Sequence, residues 1–357
     1  MLSTEAISAL LGRPLFTPDP DAIHQHWTGR TVLISGAGGS IGSELVRTLS
    51  LIPCTIVLYD RSENNLVRML ADTRDSRATI VPMLGDIRDE LLLDYAFRTY
   101  RPHVVLHAAA YKHVPLLESN PLQAAGNNIF GTRDVLRAAC THGTRRFVLV
   151  STDKAVAPSS VMGCTKRVAE MVTLNTYLDC QPTVARTVVR LGNVLGSSGS
   201  VLPLFERQIA AGGPVTITDP KATRFFMAIP EAANLILNAA TMGHGGETFV
   251  LDMGDPVNIL ELALRLIELR GMMDKVGIVS VGMRPGEKLT EQLYTDGVDD
   301  TGHPRIWRAR TSHTDPERLA RGLYWLKKHL DESDVTGVME GLRELVPEYT
   351  PQMEIKA

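Results

Sequence analysis

Three consecutive side chains could move protons on a bound substrate: the hydroxyl of Thr152, the carboxyl of Asp153 and the amine of Lys154. Met162 follows eight residues beyond Lys154, and Lys166 stands four residues after that, on the same helical face. A carboxyl beside an amine can act as acid and base only if both pKa values are moved. Burial must hold Asp153 up against the neighbouring ammonium, and Lys154 must be lowered to act as a base. Met162 has no proton to transfer.

A second group of residues is built for phosphate. The run Thr31-Val-Leu-Ile-Ser35 leads directly into Gly-Ala-Gly-Gly-Ser-Ile-Gly, residues 36–42. Gly36, Gly39 and Gly42 have the spacing of a dinucleotide-binding turn: the first permits a tight turn, the second admits a pyrophosphate and the third lets a helix pack on the strand. Ser40 and Ile41 open that helix, where backbone N–H groups can hold a phosphate. Asp60 closes the second strand, 24 residues after Gly36, and can accept hydrogen bonds from the ribose hydroxyls of NAD. Arg61 is adjacent and suits the extra phosphate of NADP, so NAD is expected and NADP stays possible. Asp86 and Ile87 are placed for the adenine, and Ala108, Ala109 and Ala110 for the wall of the groove.

The elements that must position these groups alternate. Apolar, β-branched runs at 31–35, 55–59, 79–84, 103–107, 147–151 and 184–191 read as parallel strands buried on both faces. Helical stretches lie near 41–50, 63–75, 88–99, 119–141 and 161–178. The alternation predicts an α/β fold, a Rossmann-type doubly wound parallel sheet with a smaller C-terminal substrate-binding lobe. The expected divisions are 1–29 (a short helix and connector), 30–192 (the NAD(P)-binding domain), 193–310 (mainly the lobe, interleaved with the sheet and dominated by short elements and loops) and 311–357 (a helical tail). Asn128 is expected to shape the backbone near the active strand.

Composition removes other classes. The net charge of −3 supplies no basic field for nucleic acid. No run of about 18 apolar residues predicts a membrane span, and no signal pattern opens the chain, so a cytoplasmic protein is expected. Cys54, Cys140, Cys164 and Cys180 form no CxxC pair and no metal cluster; they read as thiols in a reducing compartment.

The sequence resembles the nucleotide-sugar 4,6-dehydratases of bacterial polysaccharide and bacillosamine biosynthesis, extended short-chain dehydrogenases. The shared stretches are GAGGSIGSEL (36–45), HAAAYKHVPLLESNP (107–121), NIFGT (128–132), STDKAVAPSSVMGCTK (151–166), RLGNVLGSSGSVLPLF (190–205), TRFFMAIPEA (223–232) and GMRPGEKLTE (282–291). LLGRP (10–14) is similar to the segment before the catalytic domain of the large membrane-bound members. Methionine where most short-chain dehydrogenases carry a tyrosine is a trait of this subgroup. The loop Ala157-Pro-Ser-Ser160 departs from the Asn-Pro-Thr-Asn common among them.

The resemblance implies dehydration of a UDP-N-acetylhexosamine such as UDP-N-acetylglucosamine: oxidation at C4, loss of the C6 hydroxyl with the C5 proton, and return of hydride to C6. Asp153 would be the acid and Lys154 the base at C5, with Thr152 at the C4 hydroxyl and Lys166 at the nicotinamide ribose. The acceptor of the C4 proton is open between Lys154, Lys166 through water, and Asp153. Lys112, His113, Asn193, Gly199, Ser200 and Val201 would line the sugar and pyrophosphate site. Arg224 and Arg284 would meet the diphosphate, and Glu287 a uridine ribose. A homo-oligomer, dimer or hexamer, is implied, with the helices near 119–141 and 161–178 able to serve a dimer. The competing readings are a C4 epimerase, a 5,6-dehydratase that would leave a C5–C6 double bond, and an inactive NAD-binding regulator.

Overall fold

The computed structural model describes residues 3–16, 20–175, 184–311 and 314–351. Seven parallel strands form most of one sheet: β1 (Thr31–Ser35), β2 (Thr55–Asp60), β3 (Thr79–Leu84), β4 (Val104–His107), β5 (Arg146–Thr152), β6 (Ala185–Leu191) and β7 (Thr248–Leu251). β8 (Val298–Asp300) and β9 (Ile306–Ala309) join antiparallel at one edge, and the order is β8-β9-β7-β6-β5-β4-β1-β2-β3. The chain moves outward from β1 to β3, then crosses back to β4. The crevice outside the carboxyl ends of β1 and β4 is therefore the switch point where ligands of such sheets bind. The doubly wound parallel sheet is as expected from the sequence.

The strands are apolar on both faces because helices cover both. Val32, Ile34, Ile56 and Leu58 face one core, and Leu33, Val57, Val105 and Leu149 the other. A third core around Leu202, Phe205, Phe226, Leu262 and Leu266 belongs to a smaller lobe. Its frame is three short strand pairs, Asn193–Leu195 with Phe226–Ala228, Thr223–Arg224 with Val257–Asn258, and Val215–Ile217 with Ile278–Ser280. The expectation that short elements dominate this stretch is corrected. Helices Val201–Ala210, Ile229–Met242 and Ile259–Leu269 run 10, 14 and 11 residues. The N-terminal helix Thr4–Leu11 packs Leu10 and Leu11 into the lobe core, and Arg13 holds both carboxylate oxygens of Glu231 at 2.8 and 3.1 Å. No helix among the described residues is long and apolar enough to cross a membrane.

Three other expectations change. The stretch 119–141 is not one helix: a fully buried π-helical turn, Ala125–Gly131, interrupts it. The wider turn accommodates Asn128, whose amide bonds Tyr111 O, Tyr111 N and Thr165 Oγ1 at 2.8–3.1 Å. The helix Val161–Leu174, which the sequence offered as able to serve a dimer, is mostly buried within this chain and packs against Val335–Leu345; only Arg167 and Leu174 along it are partly exposed. The rest of the predicted stretch, 176–178, lies outside the described residues. Cys54 and Cys164 are buried free thiols, but Cys140 is disulfide-bonded, which corrects the reading of four thiols; Cys180 lies outside the described residues.

One buried ion pair locks the active strands to that helix. Glu170, on Val161–Leu174, accepts hydrogen bonds from Ser151 Oγ at 2.7 Å on β5 and from Arg190 Nε and Nη2 at 2.8 and 2.6 Å on β6. Burial works to raise its pKa, yet the Arg190 charge and hydrogen bonds, with Arg167 and Ser151, hold it below the usual carboxylate range. Removing one partner strands the other charge in the core. Glu170→Ala is therefore expected to cost roughly 3–5 kcal/mol in chemical denaturation. In the native protein this contribution is complete above the ordinary carboxylate pKa and is lost as pH falls through the lower folded value. A variant as stable as the wild type at neutral pH would refute the anchor.

Candidate active site

The glycine turn is shaped by contact. Gly36 has φ +67°, and a Cβ there would lie 2.8 Å from the Ala109 backbone. A Cβ on Gly42 would lie 2.1 Å from Gly36 O, so only glycine lets the helix Ser40–Ser50 sit this close to the strand. Gly39 caps that helix without a side-chain hydrogen bond. The first N–H groups of the helix thus lack intrahelical partners and open toward the crevice. A recess of about 160 Å³ lies between Gly36, Gly39, Asp60, Arg61, Ile87 and Ala108–Ala110. A larger cavity of about 480 Å³ continues from Gly39, Ser40, Ile41 and Gly42 to Thr152, Lys154, Met162 and Lys166. The cradle fits a dinucleotide by this test of close approach and free amides.

Two acidic residues have partners within the protein. Asp60 faces the recess, but its oxygens already accept the N–H groups of Gly38 at 2.8 Å and Ser62 at 2.9 Å; it tethers the glycine turn, and each oxygen keeps one lone pair. Asp86 does not line the recess. It is paired with Arg88 at 2.8 Å, whose hydrogen bond holds it below the usual carboxylate range. Arg61 lies over the Tyr111 ring at 4.5 Å and donates to its hydroxyl, bridging the crevice.

At the end of β5, Thr152 and Lys154 line the larger cavity while Asp153 is fully buried behind them. Asp153 Oδ1 accepts from Thr152 Oγ1 at 2.9 Å and from Lys154 Nζ at 3.0 Å; Oδ2 has no partner. Lys154 Nζ also donates to Asn193 Oδ1 at 2.9 Å. The expected lowering of Lys154 is corrected: burial favours it, but the charges of Asp153 and Glu291 outweigh burial and raise its pKa. Lys166 shows the opposite. Its Nζ donates to Val150 O at 2.9 Å, and burial pushes it down to about 8 against the pull of Glu170. Met162 is buried and lines the cavity.

The lobe closes the far side. Lys112, His113, Asn193, Gly199, Ser200 and Val201 all line the larger cavity. Lys112 Nζ reaches Ser197 Oγ at 3.4 Å, and Ser198 N–H donates to Ser40 Oγ at 3.1 Å, joining the lobe to the glycine turn. Burial lowers Lys112, and burial with Lys112 lowers His113. Three expected residues are not brought there. Arg284 is exposed and lies outside the cavity, near Glu287, which accepts its N–H at 3.3 Å. Arg224, expected at a diphosphate, is buried and donates to Thr223 O and Leu289 O. Its guanidinium instead joins Lys154 and Lys288 around Glu291, a buried carboxylate that sequence reasoning did not single out. Only its place at the end of the GMRPGEKLTE stretch pointed to it.

A family model described as polysaccharide biosynthesis protein matches residues 32–311. The capsular polysaccharide biosynthesis protein CapD of Staphylococcus aureus is 45% identical over 86% of this chain and 52% of its own length, so this chain spans about half of that relative. The UDP-N-acetylglucosamine 4,6-dehydratase (inverting) of Campylobacter jejuni is 33% identical over 75% of this chain and 78% of its own. A UDP-glucose 4-epimerase of Rickettsia akari is 34% identical over 76% and 81%. The X-ray structure of Pen from Bacillus thuringiensis is 31% identical, covers 85% of this chain and 99% of Pen, and superposes with a TM-score of 0.73. The chain thus belongs to the polysaccharide biosynthesis protein family and is a nucleotide-sugar dehydratase-like member of the extended short-chain dehydrogenases.

Proposed function

We propose that this protein is a 4,6-dehydratase of a UDP-N-acetylhexosamine, UDP-N-acetylglucosamine being the first candidate, with NAD in the glycine-lined groove. The observation that carries the reading is the Asp153–Lys154 pair at the end of β5, with Lys154 in the cavity, Asp153 buried behind it, and Met162 in place of an acid/base tyrosine. Bound there, NAD would supply oxidation at C4 and reduction at C6 of the sugar, with no net consumption of the cofactor. Gly36, Gly39, Ser40, Ile41 and Gly42 would hold its pyrophosphate, Asp60 its adenosine ribose, and Lys166 its nicotinamide ribose.

The protein's own groups divide the proton work. Lys166, about half deprotonated near pH 8, takes the C4 hydroxyl proton through water. One proton crossing the 3.0 Å contact from Lys154 Nζ to Asp153 Oδ1 readies a base and an acid together. The C5–H bond then breaks toward Lys154, the C5–C6 double bond forms, and the C6–O bond breaks. The departing oxygen is protonated from Asp153 by way of Thr152 Oγ1, which bridges the buried carboxyl to the cavity. Lys154, left as an ammonium, then returns a proton to C5 as the reduction at C6 completes. The proton taken up by Lys166 passes back to Lys154 through solvent, so that both lysines and Asp153 regain their starting forms. An epimerase needs no acid and base pair aimed at C5 and C6, so this pair favours dehydration.

Mass spectrometry of UDP-N-acetylglucosamine after incubation with the NAD-loaded protein tests the reading: a product lighter by one water supports it, and unchanged mass removes it. Asp153→Asn is expected to lower turnover by about 10²–10⁴-fold; an unchanged rate would take Asp153 out of the acid's role. For Lys166 the sign is that of a base. Turnover should rise with pH through about 8 as the amine loses its proton. A rate independent of pH across that range would assign the C4 proton elsewhere.

A further inference from the structure

Glu291 is one of the most enclosed carboxylates in the chain, with its side chain 3% exposed. It lies between three cations, 3.7 Å from Lys154 Nζ, 3.9 Å from Arg224 Nε and 3.9 Å from Lys288 Nζ. None of these distances is a hydrogen bond, and Oε2 is buried without a hydrogen-bond partner among the described residues. Burial raises its pKa and the Asp153 charge adds to this, while Lys154, Arg224 and Lys288 oppose. Lys288 Nζ donates to Val156 O at 2.9 Å, and Arg224 Nη1 donates to two backbone carbonyls. Of the three cations, Lys154 is the one that lines the cavity. Its three N–H bonds have three acceptors within reach: Asp153, Asn193 and Glu291.

We propose that Glu291 is a positioning residue of the dehydration, which works through Lys154. The inference rests on the reading of Lys154 as the base at C5. Once Lys154 has passed a proton to Asp153, it keeps two hydrogens and one lone pair. Asn193 Oδ1 and Glu291 engage the two hydrogens, and the lone pair is left for the C5 proton. The negative charge of Glu291 also favours the ammonium that forms as that proton arrives. A neutral side chain of the same shape would preserve the packing and lose both effects.

The test compares Glu291→Gln, which keeps the shape, with Glu291→Asp, which keeps the charge, in steady-state turnover of UDP-N-acetylglucosamine. Gln is expected to lower kcat on the order of tenfold or more with KM within about twofold, and Asp to retain more activity than Gln. The reverse ranking, or a Gln variant at the wild-type rate, would show a packing role and overturn the inference. A rise in KM with kcat unchanged would make Glu291 a binding group and overturn it equally. Circular dichroism and NAD binding establish that each variant is folded. If Gln does not fold, Asp decides alone, since complete loss of kcat in a folded Asp variant contradicts a role for the charge. A wild type that does not dehydrate the sugar sinks the underlying reading, whereas an active wild type with an equally active Gln variant sinks this inference alone.

Discussion

The buried contact of Glu170 with Arg190 and Ser151 is the constraint on which the site depends. It ties three elements at one level: β5, which leads into Asp153 and Lys154, β6, which leads to Asn193, and the helix that presents Met162 and Lys166. Charges this deep are costly unless fully hydrogen-bonded. Here both carboxylate oxygens are engaged, so the three elements hold one register. The same helix packs against Val335–Leu345, with Cys164 Sγ 3.7 Å from Leu342 O, so the site is backed by buried structure.

On that frame two lysines stand a short way apart in opposite environments. Lys154 lies among carboxylates and is kept an ammonium, while Lys166 meets mostly apolar burial and a backbone carbonyl and is pushed toward neutrality. In the proposed reaction this contrast stands in for a tyrosine. Lys166 would receive a proton as the pH approaches 8. Lys154 would become a base only by passing its proton to Asp153, which would arm the acid in the same step.

Much of this was legible in the sequence because it is local. The strand, glycine turn and helix from Thr31 to Ser50 follow from residue type and spacing, and Thr152, Lys154, Met162, Lys166, Asn193 and Gly199–Val201 meet around one cavity as expected. What was missed depends on distant segments converging. Glu291 gains its character from residues more than a hundred positions earlier, and Arg224 is drawn to it rather than to the cavity. Asp86 is claimed by its neighbour Arg88, a competition that strand-end position does not reveal. The π-helical turn at Asn128 is invisible to a 3.6-residue periodicity, because one extra residue per turn looks like ordinary helix. The disulfide at Cys140 follows from proximity in space, and spacing along the chain held no sign of it.

The most direct test of the account is proton NMR of the product formed from UDP-N-acetylglucosamine in D2O. A C6 methyl group, a C4 ketone or its hydrate, and deuterium at C5 are expected if Lys154 removes and returns a proton there in exchange with solvent. A C5–C6 alkene with an intact C4 carbinol, or a C4 epimer without deuterium at C5, would contradict it.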